Sequence, residues 1–173
     1  MKEIIVRAAT TKEAALIADM SRQTFYDSFA AQNTKEDMDK FMNEQFSREQ
    51  LIKEVEEPGS LFLIGWDDDN AVGYARLREG ERFPEFGNSS SMEIARIYAI
   101  QDAIGKGVGS ALINKCIAIA IEQQREIIWL GVWEHNQRAI NFYKKWGFEK
   151  FGEHQFILGS DAQLDWLMKR ELR

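Results

Sequence analysis

Met92-Glu93-Ile94-Ala95-Arg96-Ile97-Tyr98-Ala99-Ile100 reads as a central strand, and it leads into Ile104-Gly105-Lys106-Gly107-Val108-Gly109-Ser110. An apolar helix and a second apolar strand follow, then Asn136-Gln137-Arg138-Ala139-Ile140-Asn141-Phe142-Tyr143, closing on Gly147-Phe148. A glycine-rich turn that opens a helix directly after a strand points several backbone N–H groups and the positive end of the helix dipole at one place, where phosphate binds readily. Glycines at 105, 107 and 109 remove Cβ atoms where a ligand must touch backbone, and they permit positive φ. Lys106 adds a full positive charge. Such a turn on its own also serves as a tight strand-to-helix connection, so its surroundings decide.

The commoner phosphate loops do not fit. A Walker loop needs Gly-Lys followed by Ser or Thr, whereas Gly105-Lys106 is followed by Gly107. A dinucleotide fold needs its glycine fingerprint in the first strand-helix unit, and this loop comes late in the chain. Instead, Asn136 stands 26 residues after Ser110, with Ala139, Phe142-Tyr143 and Gly147-Phe148 in order behind it.

Outside this stretch the chain alternates. Residues 2–8 read as a strand, and Thr10-Thr11-Lys12-Glu13 is a capping box for a helix carrying Leu16, Ile17, Met20, Phe25 and Phe29. Met38, Phe41, Met42 and Phe46 recur at helical spacing, and Ser47 caps a further helix that Pro58-Gly59 stops. Residues 60–66 and 71–78 flank Asp67-Asp68-Asp69-Asn70 as an antiparallel hairpin. Residues 79–91, with Pro84, Gly87 and three serines, read as a loop whose length can vary without harm to the core. A helix over 107–124 is apolar around most of its girth, 127–133 is an apolar strand, Asn136 caps a helix ending at Gly147, and 148–158 and 164–172 finish as strands. Periodicity alone gives a mixed α/β chain of one domain, residues 1–173, large enough to bury a substantial core.

The two spaced motifs resemble those of the GNAT superfamily of N-acetyltransferases, whose pyrophosphate loop reads Gln/Arg-x-x-Gly-x-Gly/Ala and whose later helix reads Asn-x-x-Ala-x-x-Phe/Leu-Tyr. The resemblance implies that superfamily's α/β (α+β) fold across nearly the whole chain, a central, mostly antiparallel mixed sheet of about seven strands flanked by helices. It also implies acetyl-CoA as co-substrate. The stretches Thr24–Phe29, Glu93–Tyr98, Trp129–Glu134 and Phe142–Phe148 are similar to PaiA-type spermidine/spermine acetyltransferases. Members of one fold accept very different amines, so the acetyltransferase reading is firmer than the polyamine one.

Several roles follow from the resemblance. Ile104, Gly105, Lys106, Gly107, Val108, Gly109 and Ser110 hold the pyrophosphate of acetyl-CoA. The backbone edge at Ile97, Tyr98 and Ala99, with Asn136, takes the pantetheine arm, and an N–H near Tyr98 or Ala99 serves the thioester carbonyl. Lys145 approaches the cofactor's far end. Ile104 stands where the superfamily has Gln or Arg, so it offers a backbone N–H and no side-chain donor.

Chemistry adds two candidates. An amine with a pKa of about 10.4 is almost wholly protonated at neutral pH, so a base must take its proton. Glu93, in the central strand eleven residues before the loop, is the candidate base; its alternative is an ion pair with Arg96 or a basic residue on a neighbouring strand. Tyr143 lies seven residues after Asn136, two turns along one helix, and is the candidate acid for the departing thiolate; its alternative is a buried aromatic whose hydroxyl caps a carbonyl. Phe25, Tyr26, Phe29 and Glu36, with Asp27, Asp37 and Asp39 beside them, are candidate acceptor contacts, and each also reads as helix packing or dipole chemistry. Cys116 sits mid-helix on an apolar stripe, which argues against a covalent acyl carrier.

Composition fits these expectations. With 22 basic and 28 acidic residues the net charge of −6 argues against a nucleic-acid partner and modestly favours a cationic small molecule, which the resemblance makes an amine of polyamine type. One cysteine and two histidines build no recognisable zinc site, so no metal is expected. The opening MKEIIVRAATTKE lacks a signal peptide's apolar stretch and no segment has the ~20 apolar residues of a membrane span, which gives the expectation of a cytoplasmic protein without membrane contact. The sequence leaves room for a homodimer. Two further readings stay open, a protein or peptide N-acetyltransferase and a non-catalytic acyl-CoA sensor.

Overall fold

The computed structural model describes residues 2–173. In chain order the elements are β1 (Ile5–Ala8), α1 (Ala14–Phe29), α2 (Lys35–Glu44), α3 (Arg48–Glu56), β2 (Leu61–Asp67), β3 (Asn70–Arg78), β4 (Ser91–Ala99), α4 (Val108–Glu122), β5 (Ile127–Trp133), α5 (Gln137–Lys145), β6 (Glu149–Leu158) and β7 (Asp161–Glu171). The strands make one seven-stranded sheet in the order β1-β2-β3-β4-β5-β7-β6. Every neighbouring pair is antiparallel except β4 and β5, which are parallel and joined by α4. The mixed, mostly antiparallel sheet that the resemblance implies is therefore present.

Local signals explain the boundaries. The Thr10 backbone N–H donates to the Glu13 carboxylate at 3.0 Å, and one 3₁₀ turn over Thr11–Glu13 precedes α1. Ser47 and Gln50 form a reciprocal capping box at the start of α3. Asn136 caps α5 by accepting from the Ala139 N–H at 3.2 Å, and Gly147 follows that helix at φ +86°. The expected first strand is shorter than residues 2–8, since β1 is an edge strand paired to β2 only from Ile5 to Ala8.

The segment between β3 and β4 is not the freely variable loop its serines and glycines suggested. Phe86 is buried, the Phe83 ring stands 4.8 Å from Trp129, and Phe151 lies 5.3 Å from Phe83. These rings cover the patch of sheet at Trp129 and Leu167, so the segment contributes core.

On the opposite face α4 packs Val108, Leu112, Ile113, Cys116, Ile117 and Ala120, all buried, onto the sheet. Gly73 of β3 is what lets the start of α4 come so close. A Cβ there would stand 2.7 Å from the Tyr98 carbonyl oxygen and 2.7 Å from Val108 Cγ1. We expect Gly73→Ala to cost about 1–3 kcal/mol in chemical denaturation, because a methyl must displace β4 backbone or the helix start. An unchanged midpoint would mean that α4 moves aside freely.

Among the described residues no helix is long and apolar enough to cross a membrane.

Candidate active site

The site begins where the parallel pair separates. β4 and β5 are in register only from Ser91–Ile127 to Ile94–Leu130, whereas β4 stays paired to β3 through Ala99. Between them the β3–β4 register slips, so that Arg76 faces Arg96 and Leu77 faces Ile94, leaving Ala95 unmatched. A bulge of this kind bends its strand and turns it from its neighbour. The β5-facing edge of Ile97, Tyr98 and Ala99 is thus left open. It borders a cavity of about 1100 Å³ that runs from the start of α4, through the gap between β4 and β5, to the inner faces of α1 and the β6–β7 hairpin.

At one end lies the glycine loop. Gly105 and Gly107 adopt φ of +82° and +89°, and a Cβ on either would point into open space. Gly107 is the N-cap of α4, and no side chain caps the helix. The first-turn N–H groups of Val108, Gly109 and Ser110 therefore have no helical partner and gather at the dipole's positive end, a cradle suited to phosphate. Gly109 also lies under the Phe142 ring, 3.4 Å from where its Cβ would be.

In the middle, Tyr143 reaches from α5 to the cavity wall. It is 8% exposed, and burial raises its pKa above the ordinary 10.0, with the neighbouring Cys116 adding to the effect. The phenol stays protonated over the working pH range and can give a proton. Cys116 is wholly buried and its thiol is pushed up to about 12 by burial, so it holds no thiolate.

At the far end the walls are aromatic, with Phe25, Phe29, Phe41, Phe46, Trp133 and Phe156 among the lining residues. Arg96 lines this end too, but its guanidinium is held by both Glu54 oxygens at 2.7 and 3.0 Å. Burial works against the charge of Arg96, and the Glu54 carboxylate outweighs it, holding the guanidinium above its ordinary range. Two carboxylates face the same space, Asp27 on α1 and Asp165 on β7. Asp165 Oδ2 lies 3.4 Å from His154 Nε2 across the β6–β7 pair. That contact raises the His154 pKa above 6.5. The pair accordingly adds stability that is present below pH 6.5 and lost as pH rises through the folded-state value. NMR titration should place the His154 midpoint above 6.5 in the native protein and lower in Asp165→Asn; equal midpoints would remove the contact.

The Acetyltransferase (GNAT) family matches residues 22–148 of this chain. An uncharacterized N-acetyltransferase from Lactobacillus delbrueckii subsp. lactis is 37% identical over 153 residues, covering 88% of each chain. The chain belongs to the GNAT acetyltransferase family. It is an acetyl-CoA-dependent N-acetyltransferase. The spermidine N(1)-acetyltransferase of Thermoplasma acidophilum is 22% identical over 84% of this chain and 88% of its own. Among solved structures, the PaiA N-acetyltransferase of Thermoplasma acidophilum in complex with coenzyme A superposes with a TM-score of 0.78 at 20% identity, covering 98% of this chain and 99% of that one. That likeness is one of fold.

In this GNAT enzyme the cavity brings together most of the residues singled out from the sequence. Ile97, Tyr98, Ala99, Ile104, Gly105, Gly107, Gly109, Ser110, Asn136, Tyr143, Phe25 and Phe29 all line it. Val108 does not, because its side chain is 1% exposed in the core under α4, which leaves only its N–H for a ligand. Lys106 and Lys145 are exposed outside the lining, as are Tyr26 and Glu36 on the outer faces of α1 and α2. Glu93 is the largest departure. Its side chain is 8% exposed, sits outside the cavity lining, and is held by Arg78 of β3 at 2.5 and 3.4 Å. The cross-strand ion pair, with Arg78 in place of Arg96, is where this carboxylate is spent.

Asp165, Phe156 and Arg138 line the cavity as well, the first two without any local sequence signal. Asp165 and Phe156 lie on strands that look ordinary until β6 and β7 fold over the site. Arg138 stands two residues after Asn136, in the first turn of α5, and its proximity to the motif was the one available hint.

Proposed function

We propose that this enzyme acetylates a primary aliphatic amine of the polyamine class, spermidine or spermine, by direct attack in a ternary complex with acetyl-CoA. The observation that carries the reading is the charge state of the cavity's acceptor end. Its one well-buried cation, Arg96, is already matched by Glu54, while Asp165 and Asp27 face the space with weak or exposed partners. Aromatic walls suit the methylene chain between amino groups, and the net charge of −6 favours a cationic ligand. The distant spermidine acetyltransferase relative agrees with the same class.

Acetyl-CoA supplies the activated acetyl group. The chain's own part is then to orient and to move one proton. The α4 first-turn amides and Gly105 to Gly109 bind the pyrophosphate, with Arg138 as an additional cation where Ile104 offers no side-chain donor. The open β4 edge aligns the arm through backbone N–H and C=O groups. The acceptor ammonium gives one proton to water before it attacks; Tyr143 Oη gives its proton to the departing sulfur, and the proton then shed by the attacked nitrogen restores the phenol.

Thiol release from acetyl-CoA with spermidine, spermine, amino acids and short peptides tests the acceptor class. We expect release with the polyamines; release with peptides alone would transfer the enzyme to protein substrates. Glu93→Gln should leave the ratio of mutant to native turnover at saturating acceptor flat from about pH 6 to 9, since the residue does not line the cavity. A ratio that falls toward low pH would restore it as the base.

A further inference from the structure

The acceptor end of the cavity holds one carboxylate that is both sheltered and underused. Asp165 is 18% exposed, lines the cavity, and has His154 as its one hydrogen-bond partner among the described residues. At 3.4 Å that bond is long, and the second carboxylate oxygen accepts from no group among the described residues. Diagonal to it on β5 stands Gly131, where a Cβ would lie 3.7 Å from both Asp165 Oδ2 and His154 Nε2. On β5 the register partner of Asp165 is Trp133, whose ring meets Phe29 at 6.2 Å. A sheltered carboxylate that lines a cavity beside aromatic walls, with one oxygen unbonded among the described residues, is a site for an alkylammonium.

We propose that Asp165 anchors the second, non-reacting ammonium of the acceptor, and that His154 behind it gates the anchor by its own charge. The proposal rests on the polyamine reading above and assigns its specificity to one residue. When His154 is protonated the pair is neutral and offers little to a cation. When the imidazole is neutral, Asp165 presents its full charge. The groups that face this pair are Glu81 from the β3–β4 segment, Glu93 with its Arg78 and Tyr98 from β4; Asp27, His135 and Arg138 stand on the cavity walls. Glu81 and Glu93 favour protonated His154 along with Asp165, which raises the pH at which the gate opens. An aliphatic ammonium keeps its charge across that whole range, so acceptor binding should tighten as pH rises through the His154 titration.

Isothermal titration calorimetry of spermidine and of n-butylamine into the full chain, from about pH 6 to 8.5, tests this without requiring turnover. Native protein should bind spermidine more tightly as pH rises. Asp165→Asn should weaken spermidine by about ten- to hundredfold at the upper pH, lose the pH dependence, and leave butylamine unchanged. His154→Gln keeps the carboxylate and removes the titration, so its affinity should be high and flat. Equal spermidine affinity in native and Asp165→Asn, or no spermidine binding by native protein, would overturn the anchor. If Asp165→Asn fails to fold, the native pH dependence and its loss in His154→Gln decide alone. Thiol release separates the two readings: spermidine that binds through Asp165 without being acetylated removes the activity reading and keeps the anchor, whereas acetylation with the same KM in Asp165→Asn does the reverse.

Discussion

Tyr143→Phe is expected to lower turnover by about a hundred- to a thousandfold while leaving the dissociation constant for acetyl-CoA within a factor of about two. The ring fills the wall between Phe142 and Phe148, and Phe keeps that contact. Only the hydroxyl is lost, and in the proposed mechanism it gives its proton as charge builds on the departing sulfur. Because burial raises the phenol's pKa above its ordinary 10.0, Tyr143 should impose no alkaline limb on the native rate below that pH. Calorimetric binding beside a thiol-release assay separates the two effects. Equal losses in binding and turnover would make Tyr143 a packing residue, and unchanged turnover would remove it as the acid.

Glu54→Ala should have the largest effect on stability, a loss of about 3–5 kcal/mol. This single carboxylate holds Arg96 in a two-point contact and also reaches Arg76 at 3.5 Å. The two guanidinium side chains are 16% and 6% exposed, and of the two only Arg76 has a second carboxylate, the half-exposed Glu57 at 3.1 Å. Without Glu54, Arg96 loses its counter-charge and Arg76 keeps only the half-exposed Glu57, and Arg96 becomes a free positive group at the aromatic end of the cavity. Guanidinium denaturation reads the first consequence, and a raised KM for the proposed polyamine acceptor in the surviving folded fraction reads the second. Glu54→Gln keeps the shape without the charge and should fall between. A loss below about 1 kcal/mol in Glu54→Ala would mean that water replaces the carboxylate adequately.

Much of the geometry of the glycine loop and the α5 cap was legible because its information is local. A glycine at positive φ, an uncapped helix start and an Asn that caps the next helix are each decided within a few residues, so Gly105, Gly107, Gly109 and Asn136 could be read in order. The failures have a common cause. Glu93 carries the right chemistry at the right distance from the loop, yet the strand it pairs with determines what it faces, and that strand supplies Arg78. Tyr26 and Glu36 lie on helices whose inward faces are occupied by Phe25, Phe29, Met38 and Phe41, so one step of helical phase puts them outside.

By itself the sequence determined the helix caps, the apolar strands, the glycine loop and the spacing from loop to Tyr143, all of them short-range or set by the period of one element. Only the tertiary structure decided the bulge at Ala95 that opens β4, the pairing of Glu93 with Arg78, and the meeting of Asp165 and His154 at the cavity. Those depend on register between strands distant in the chain, and register is fixed by the whole sheet and its packed faces rather than by any one segment.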